Sequence, residues 1–111
     1  MEKSIPVMLT GSGVALAAPG YIAGILVGMD NTNDPQITVF NHASAASGDQ
    51  VIPTTNLDAS AKGFNGFMGP MKIRCSIGAY VLVENSGGGA WTPGAIEITV
   101  FTIPDNQDGW K

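Results

Sequence analysis

Two apolar runs near the end of the chain decide the fold: Ile73–Glu84 reads IRCSIGAYVLVE, and Ala95–Ile103 reads AIEITVFTI. In the second run, Ile96, Ile98 and Val100 point to one side and the residues between them to the other. This is the two-residue period of a half-buried strand. The first run is apolar on both faces, which predicts a central strand covered on both sides.

The segment between these runs, Asn85–Gly94, reads NSGGGAWTPG and is typical of turns. Two strands joined by a Gly-rich loop predict an antiparallel hairpin with an exposed tip. In such a hairpin Glu84 and Glu97 could face each other. Because like charges directly opposite are destabilising, we expect an offset register rather than a catalytic carboxylate pair. Trp91 lies at the tip, where it either folds back over the core or is offered to a partner.

Further short strands are predicted upstream of these runs, at Ser4–Leu9, Gly13–Ala18, Tyr21–Met29, Gln36–Asn41 and from Val51 onward. A helix is the competing interpretation of Tyr21–Met29, but its two glycines and its β-branched content favour a buried strand. Gly24 and Gly28 then suggest a bulge or a close backbone approach. Pro53 cannot donate to a ladder, so its strand is predicted to lie at an edge or to start there.

Seven to nine short strands without an amphipathic helix predict an all-β fold, a single antiparallel β-sandwich or jelly-roll-like domain over residues 1–111. Thr54–Gly69 could contain a helical turn, but its glycines favour irregular structure or a ribbon. Ile37 and Val39 are expected to share one core with Ile96, Ile98 and Val100. Residues 104–111 form a polar C-terminal tail that carries Trp110.

Charged residues make up only 13% of the chain, and the net charge is −4 with five basic residues. A phosphate-binding surface needs clustered cations, so neither nucleic acid nor an anionic membrane surface is expected as a partner. The apolar stretch Gly13–Gly28 is too short and too interrupted to span a bilayer. Between Val7 and Asn56 only three aspartates carry charge, so the sheet edges there must be covered by something else, such as copies of the chain or a particle shell.

Two residues, Cys75 and His42, could form a nucleophile and base pair. With one residue of each type, we expect instead an inert core thiol and a solvated turn histidine. The sequence therefore predicts no enzyme activity, no catalytic residues and no cofactor.

One loop has the spacing of a calcium site. Asp30, Thr32 and Asp34 occupy the first, third and fifth positions, but Pro35 and Asn41 replace the required glycine and glutamate. A looser cation site in this loop is less favoured than a plain turn, and no metal site is predicted.

The chain resembles the small β-sandwich structural proteins of tailed bacteriophages and prophages, of the head-fibre or capsid-decoration type. The residues that carry the resemblance are the strand-turn-strand form at Ser12–Ala17, the strand and small-residue loop at Gln36–Gly48, and the closing pattern of Ile77–Val83 and Glu97–Phe101. The likeness extends over roughly Ser12–Ile103.

This resemblance implies a non-enzymatic virion protein that binds the capsid or neighbouring virion proteins, as a homo-oligomer on threefold positions. Trp91 and Trp110 are the candidate partner-binding residues, because buried tryptophans often dominate interface energetics. The alternative function is a carbohydrate- or receptor-binding module, with Trp91 and either Tyr21 or Tyr80 stacking on the ligand.

Overall fold

The computed structural model describes residues 4–29, 34–57, 65–90 and 96–105. Nine strands lie in these ranges: β1 (Ile5–Leu9), β2 (Gly13–Leu16), β3 (Gly20–Met29), β4 (Pro35–Phe40), β5 (Gln50–Asn56), β6 (Asn65–Met68), β7 (Ile73–Cys75), β8 (Ala79–Asn85) and β9 (Ile96–Pro104). They form two antiparallel sheets packed against each other, which confirms the all-β sandwich prediction.

The first sheet has the strand order β1-β9-β3-β6, and β7 also pairs with β3. The strands β6 and β7 follow each other along the same edge of β3, one opposite Ile25–Gly28 and the other opposite Gly20–Ile22. The second sheet has the order β2-β8-β4-β5. Consequently β9 and β3 are central in the first sheet, and β8 and β4 are central in the second.

The predicted hairpin between the two C-terminal runs is wrong. Strand β8 pairs with β2 and β4, whereas β9 pairs with β1 and β3, so the two runs belong to opposite sheets. After β8 the chain turns back locally, and Ala90 forms a bridge with Glu84. Alternation shows which face of a strand is buried, but it does not show which sheet the strand belongs to. Two strands of one hairpin and two strands of opposite sheets both bury one face against the same core.

The glycine-rich run over β3 is a strand, as predicted, and not a helix. Its pairing with β9 shifts register between Ile22 and Gly24, so Ala23 is the extra residue of a bulge. The edge position predicted from Pro53 is also confirmed, since β5 is the last strand of the second sheet.

The core lies between the two sheets and contains the five residues predicted for it: Ile37, Val39, Ile96, Ile98 and Val100. The buried rows of the other central strands complete it, notably Val81 of β8 and Ile25 of β3, both fully buried. Polar groups in this layer are paired. Thr102, 1% exposed, donates its hydroxyl to the carbonyl oxygen of Ile5 at 2.9 Å.

Truncation of Ile98 to alanine is expected to lower the free energy of unfolding by about 2–5 kcal/mol, because the residue is fully buried and leaves a cavity. Chemical denaturation followed by circular dichroism measures the change. Ile77→Ala is the matched control, since Ile77 is 53% exposed, and it should shift stability by less than about 0.5 kcal/mol. Equal effects of the two substitutions would contradict this core.

Gly78 occupies a site without room for a side chain. A Cβ there would lie 2.6 Å from the carbonyl oxygen of Leu16 and 2.8 Å from the Cα of Ala43. Gly78→Ala is therefore expected to destabilise the protein by about 1–3 kcal/mol in the same denaturation assay. Gly11 has open space around its Cβ position, so Gly11→Ala should leave stability unchanged or raise it by up to about 1 kcal/mol. A tolerated Gly78→Ala would refute this close approach.

Candidate docking surface

The outward-facing side of the first sheet is built by alternation along β9. Ile98 and Val100 are buried in the core, so Glu97, Thr99 and Phe101 point away from it. The strands on either side add their own outward residues in register. We call the set consisting of Pro6, Met8, Leu26, Glu97, Thr99 and Phe101 the outer face.

Two rows of side chains cross this outer face. In one row Thr99 of β9 is paired with Met8 of β1 and with Leu26 of β3. In the next row Phe101 is paired with Pro6 and with Gly24. Long side chains therefore flank the small Thr99, while short ones flank the large Phe101.

Met8 and Leu26 are unusually exposed for residues of their type, at 72% and 43%. They form the walls of a shallow groove of about 320 Å³ whose lining also includes Thr99, Gly28 and Glu97. Thr99 lies between the two walls, and Glu97 lies toward the start of β9.

This composition is unusual for the solvent side of an antiparallel sheet, where outward positions are normally polar. On the outer face only Glu97 is charged. Exposed apolar surface that is contiguous, as opposed to scattered, marks interaction sites in soluble proteins. The outer face is therefore the candidate docking surface of this sandwich.

The far end of the first sheet carries a compact charged cluster. The ammonium of Lys72 and the guanidinium of Arg74 lie 4.9 and 5.0 Å from the centroid of the Tyr21 ring. Arg74 also forms an ion pair of 2.7 Å with Asp105. The Asp105 hydrogen bond raises the pKa of Arg74, and the same bond lowers the pKa of Asp105.

This cluster positions the Lys72 and Arg74 side chains more than it stabilises the fold, because exposed ion pairs add little to the free energy of unfolding. Stacking on one ring and pairing with one carboxylate hold both cations at the edge formed by β7. Lys72 and Arg74 are the basic residues of the part of the chain that the structure describes, so its positive charge is gathered at this end.

Two glutamates lie at the opposite end of the strands. Glu97 is paired with Gly28 near the end of β3, and Glu84 is paired with Gln36 in the other sheet. The amide of Gln36 donates to the Glu84 carboxylate at 3.1 Å. The two glutamates therefore do not face each other across a hairpin, which corrects the arrangement considered from the sequence.

Cys75 lies in the core, and His42 forms hydrogen bonds within its own turn. Cys75 is fully buried, as predicted, and burial raises the pKa of its thiol to about 11, so the thiol stays neutral at physiological pH. The Nδ1 atom of His42 accepts hydrogen bonds from the backbone N–H groups of Ser44 and Ala45, at 3.1 and 3.0 Å. The imidazole thereby closes the turn that follows β4.

Several residues singled out from the sequence lie outside the described residues: Trp91, Trp110 and the loop positions 30–33. Asp34, the last residue of the possible cation loop, is described. Within the described ranges no group of three or more His, Cys, Asp or Glu side chains could hold a metal ion. Those ranges also contain no helix suited to crossing a membrane.

Sequence reasoning missed the outer face and the Tyr21 cluster. Alternation in β9 does indicate that Thr99 and Phe101 point outward. The roles of Met8 and Leu26 depend on strand order, because only the pairing of β1 and β3 with β9 brings them beside Thr99. Arg74 reaches Tyr21 through the equally long-range pairing of β7 with β3.

Comparison of the chain with protein-family models, with curated proteins and with solved structures found no match. The docking surface is therefore interpreted from its own geometry and chemistry.

Cys75 is expected to react slowly with a thiol reagent at pH 8 in the native protein and quickly in denaturant, because both burial and its raised pKa suppress the thiolate. A colourimetric disulfide reagent measures both rates. An Ile77→Cys variant provides an exposed thiol in the same fold and should react fast without denaturant. Native labelling of Cys75 at the rate of that control would indicate an accessible, reactive site.

Proposed function

We propose that this protein is a non-enzymatic structural protein of a bacteriophage virion, of the capsid-decoration or head-fibre type. It binds the capsid or neighbouring virion proteins, and copies of the chain associate with one another. The observation that carries the proposal is the outer face, an apolar and almost uncharged surface on the solvent side of a rigid sheet.

The outer face supports an assembly role, because apolar side chains that are exposed to water add no stability to a free monomer. Met8 and Leu26 expose large apolar side chains beside Thr99, where charged residues would normally protect solubility. Burying those side chains against a partner stabilises the complex by roughly 25 cal/mol for each Å² removed from water. The pairing of β1 and β3 with β9 fixes the backbone of this surface before a partner binds, which limits the entropy lost on binding.

The titratable side chains support the absence of catalysis. The thiol of Cys75 is neutral and buried, and the Nδ1 atom of His42 accepts hydrogen bonds from two backbone N–H groups. Glu84 accepts a hydrogen bond from Gln36. These groups hold local structure in place, which suits a structural role.

The alternative, a carbohydrate- or receptor-binding module, requires an aromatic face that a ligand can stack on. The Tyr21 ring is already occupied by Lys72 and Arg74. Tyr80 is half-buried, and it lies in register between Val14 and Phe40 of its neighbouring strands. These contacts favour the assembly role over sugar stacking.

The proposal predicts that the chain is a component of purified particles. Particles made by the phage or prophage that encodes the chain would be banded on a density gradient and examined by mass spectrometry. We expect the protein in a constant ratio to the major capsid protein. Its absence from intact, infectious particles would refute the virion assignment.

Tryptophan variants test which part of the chain reaches the particle. Purified wild-type, Trp91→Ala and Trp110→Ala chains would be added to particles that lack the protein and then sedimented. At least one variant should lose bound protein by about tenfold or more, as expected for an interface hot spot. Full binding by both variants would remove these residues as anchors. Glycan-array binding that depends on Trp91 would instead favour the alternative function.

A further inference from the structure

We infer that the outer face is a twofold interface with a second copy of this chain, in which Phe101 of each copy fills the groove of the other. The inference rests on the proposed function in that it names the partner of the same surface. It differs from the threefold arrangement that the resemblance implies, because a ring of three would bring two different surfaces together.

The first argument is shape. The groove centre and its filler are neighbouring outward positions on one strand, Thr99 and Phe101, about 7 Å apart along β9. Consider a twofold axis that runs between the facing sheets, perpendicular to the strands, and passes midway between these two positions. Rotation about it keeps β9 over β9 and reverses its direction. Phe101 of each copy then lies over Thr99 of the other.

The flanking residues fit the same rotation. Phe101 enters between Met8 and Leu26, which stand on either side of Thr99. On the other copy, Met8 lies over Pro6 and Leu26 lies over Gly24. Pro6 has a short ring, and Gly24 has no side chain. Large residues therefore meet small ones along both rows, which is the condition for close packing at an isologous interface.

The second argument is charge. The rotation that exchanges Thr99 and Phe101 also places Glu97 over Ile103 of the other copy. Ile103 is paired with Tyr21 on the neighbouring strand, about 4.8 Å away. The Tyr21 ring holds Lys72 and Arg74, and with Asp105 this cluster carries two positive charges and one negative charge. A twofold axis parallel to the strands would instead bring Glu97 beside Glu97. Electrostatic complementarity therefore selects the antiparallel arrangement.

The size of the surface sets the expected affinity. The outward positions from Glu97 to Ile103 extend for about 20 Å, and the three strands β1, β9 and β3 cover a width of about 14 Å. A pair would bury about 600 Å² in total, below the roughly 1,200 Å² of standard stable interfaces. We therefore expect isolated chains to pair weakly and reversibly, and copies concentrated on a particle to pair more fully.

Sedimentation equilibrium of the full chain over a wide concentration range tests the inference. The wild type should fit a monomer–dimer equilibrium, and Leu26→Asp should raise the dissociation constant by at least tenfold. Met8→Asp is a second variant at an even more exposed position, and circular dichroism checks that both remain folded. Ile77→Asp is the matched control, since Ile77 is equally apolar and 53% exposed but lies outside the outer face; it should pair like the wild type.

Crosslinking distinguishes the geometry. Thr99→Cys lies near the proposed axis, so a short bismaleimide should join two copies, whereas Ile77→Cys should remain monomeric under the same conditions. Glu97→Lys should weaken pairing at low salt more than at high salt, because it places a third cation near Lys72 and Arg74.

A chain that is monomeric at all concentrations, one that forms a trimer, or a dimer unaffected by both Leu26→Asp and Met8→Asp would overturn the inference. None of these results would refute the virion assignment if the chain is found in particles. Conversely, a dimer that is weakened by Leu26→Asp, in a chain that is absent from particles, would refute the virion assignment and support the twofold interface.

Discussion

The structure depends on the burial of apolar rows from two sheets against each other. Strand β8 contributes Ala79, Val81 and Val83, and strand β9 contributes Ile96, Ile98 and Val100, all within one core cluster. The removal of these side chains from water is the main force that opposes the entropy of ordering the chain. Since charged residues are few, the sandwich relies on this packing more than on ion pairs.

The same constraint produces the candidate docking surface. A strand cannot bury Ile98 and Val100 without pointing Thr99 and Phe101 to the other side. In a sheet that faces only water, those outward positions would be polar. Here Met8, Leu26 and Phe101 place apolar side chains at outward positions of three adjacent strands, beside Thr99, and charge lies toward the two ends of the sheet. The outer face is therefore more apolar than a surface that contacts only water, which is why a partner is proposed for it.

Much of the fold is readable from local pattern. Alternation in β4 and β9 identified the buried residues, Pro53 marked an edge strand, and the glycines of β3 indicated a bulge. The predicted hairpin was wrong because the pattern of buried residues in β9 would be the same in either sheet. The structure pairs β9 with β3 and pairs β8 with β4 in the opposite sheet. The candidate site was harder to predict, since Met8 and Leu26 lie 18 residues apart and meet only through β9.

The sequence by itself determined that the chain is a β-sandwich, that Ile98 and its neighbours are core, and that Cys75 is buried. These properties follow from period, turn residues and composition, which act over a few residues. Only the tertiary structure decided which strands are neighbours, and with that the row of Met8, Thr99 and Leu26 and the stacking of Lys72 and Arg74 on Tyr21. Strand order is set by how two whole sheets close over one core, and no local segment encodes it.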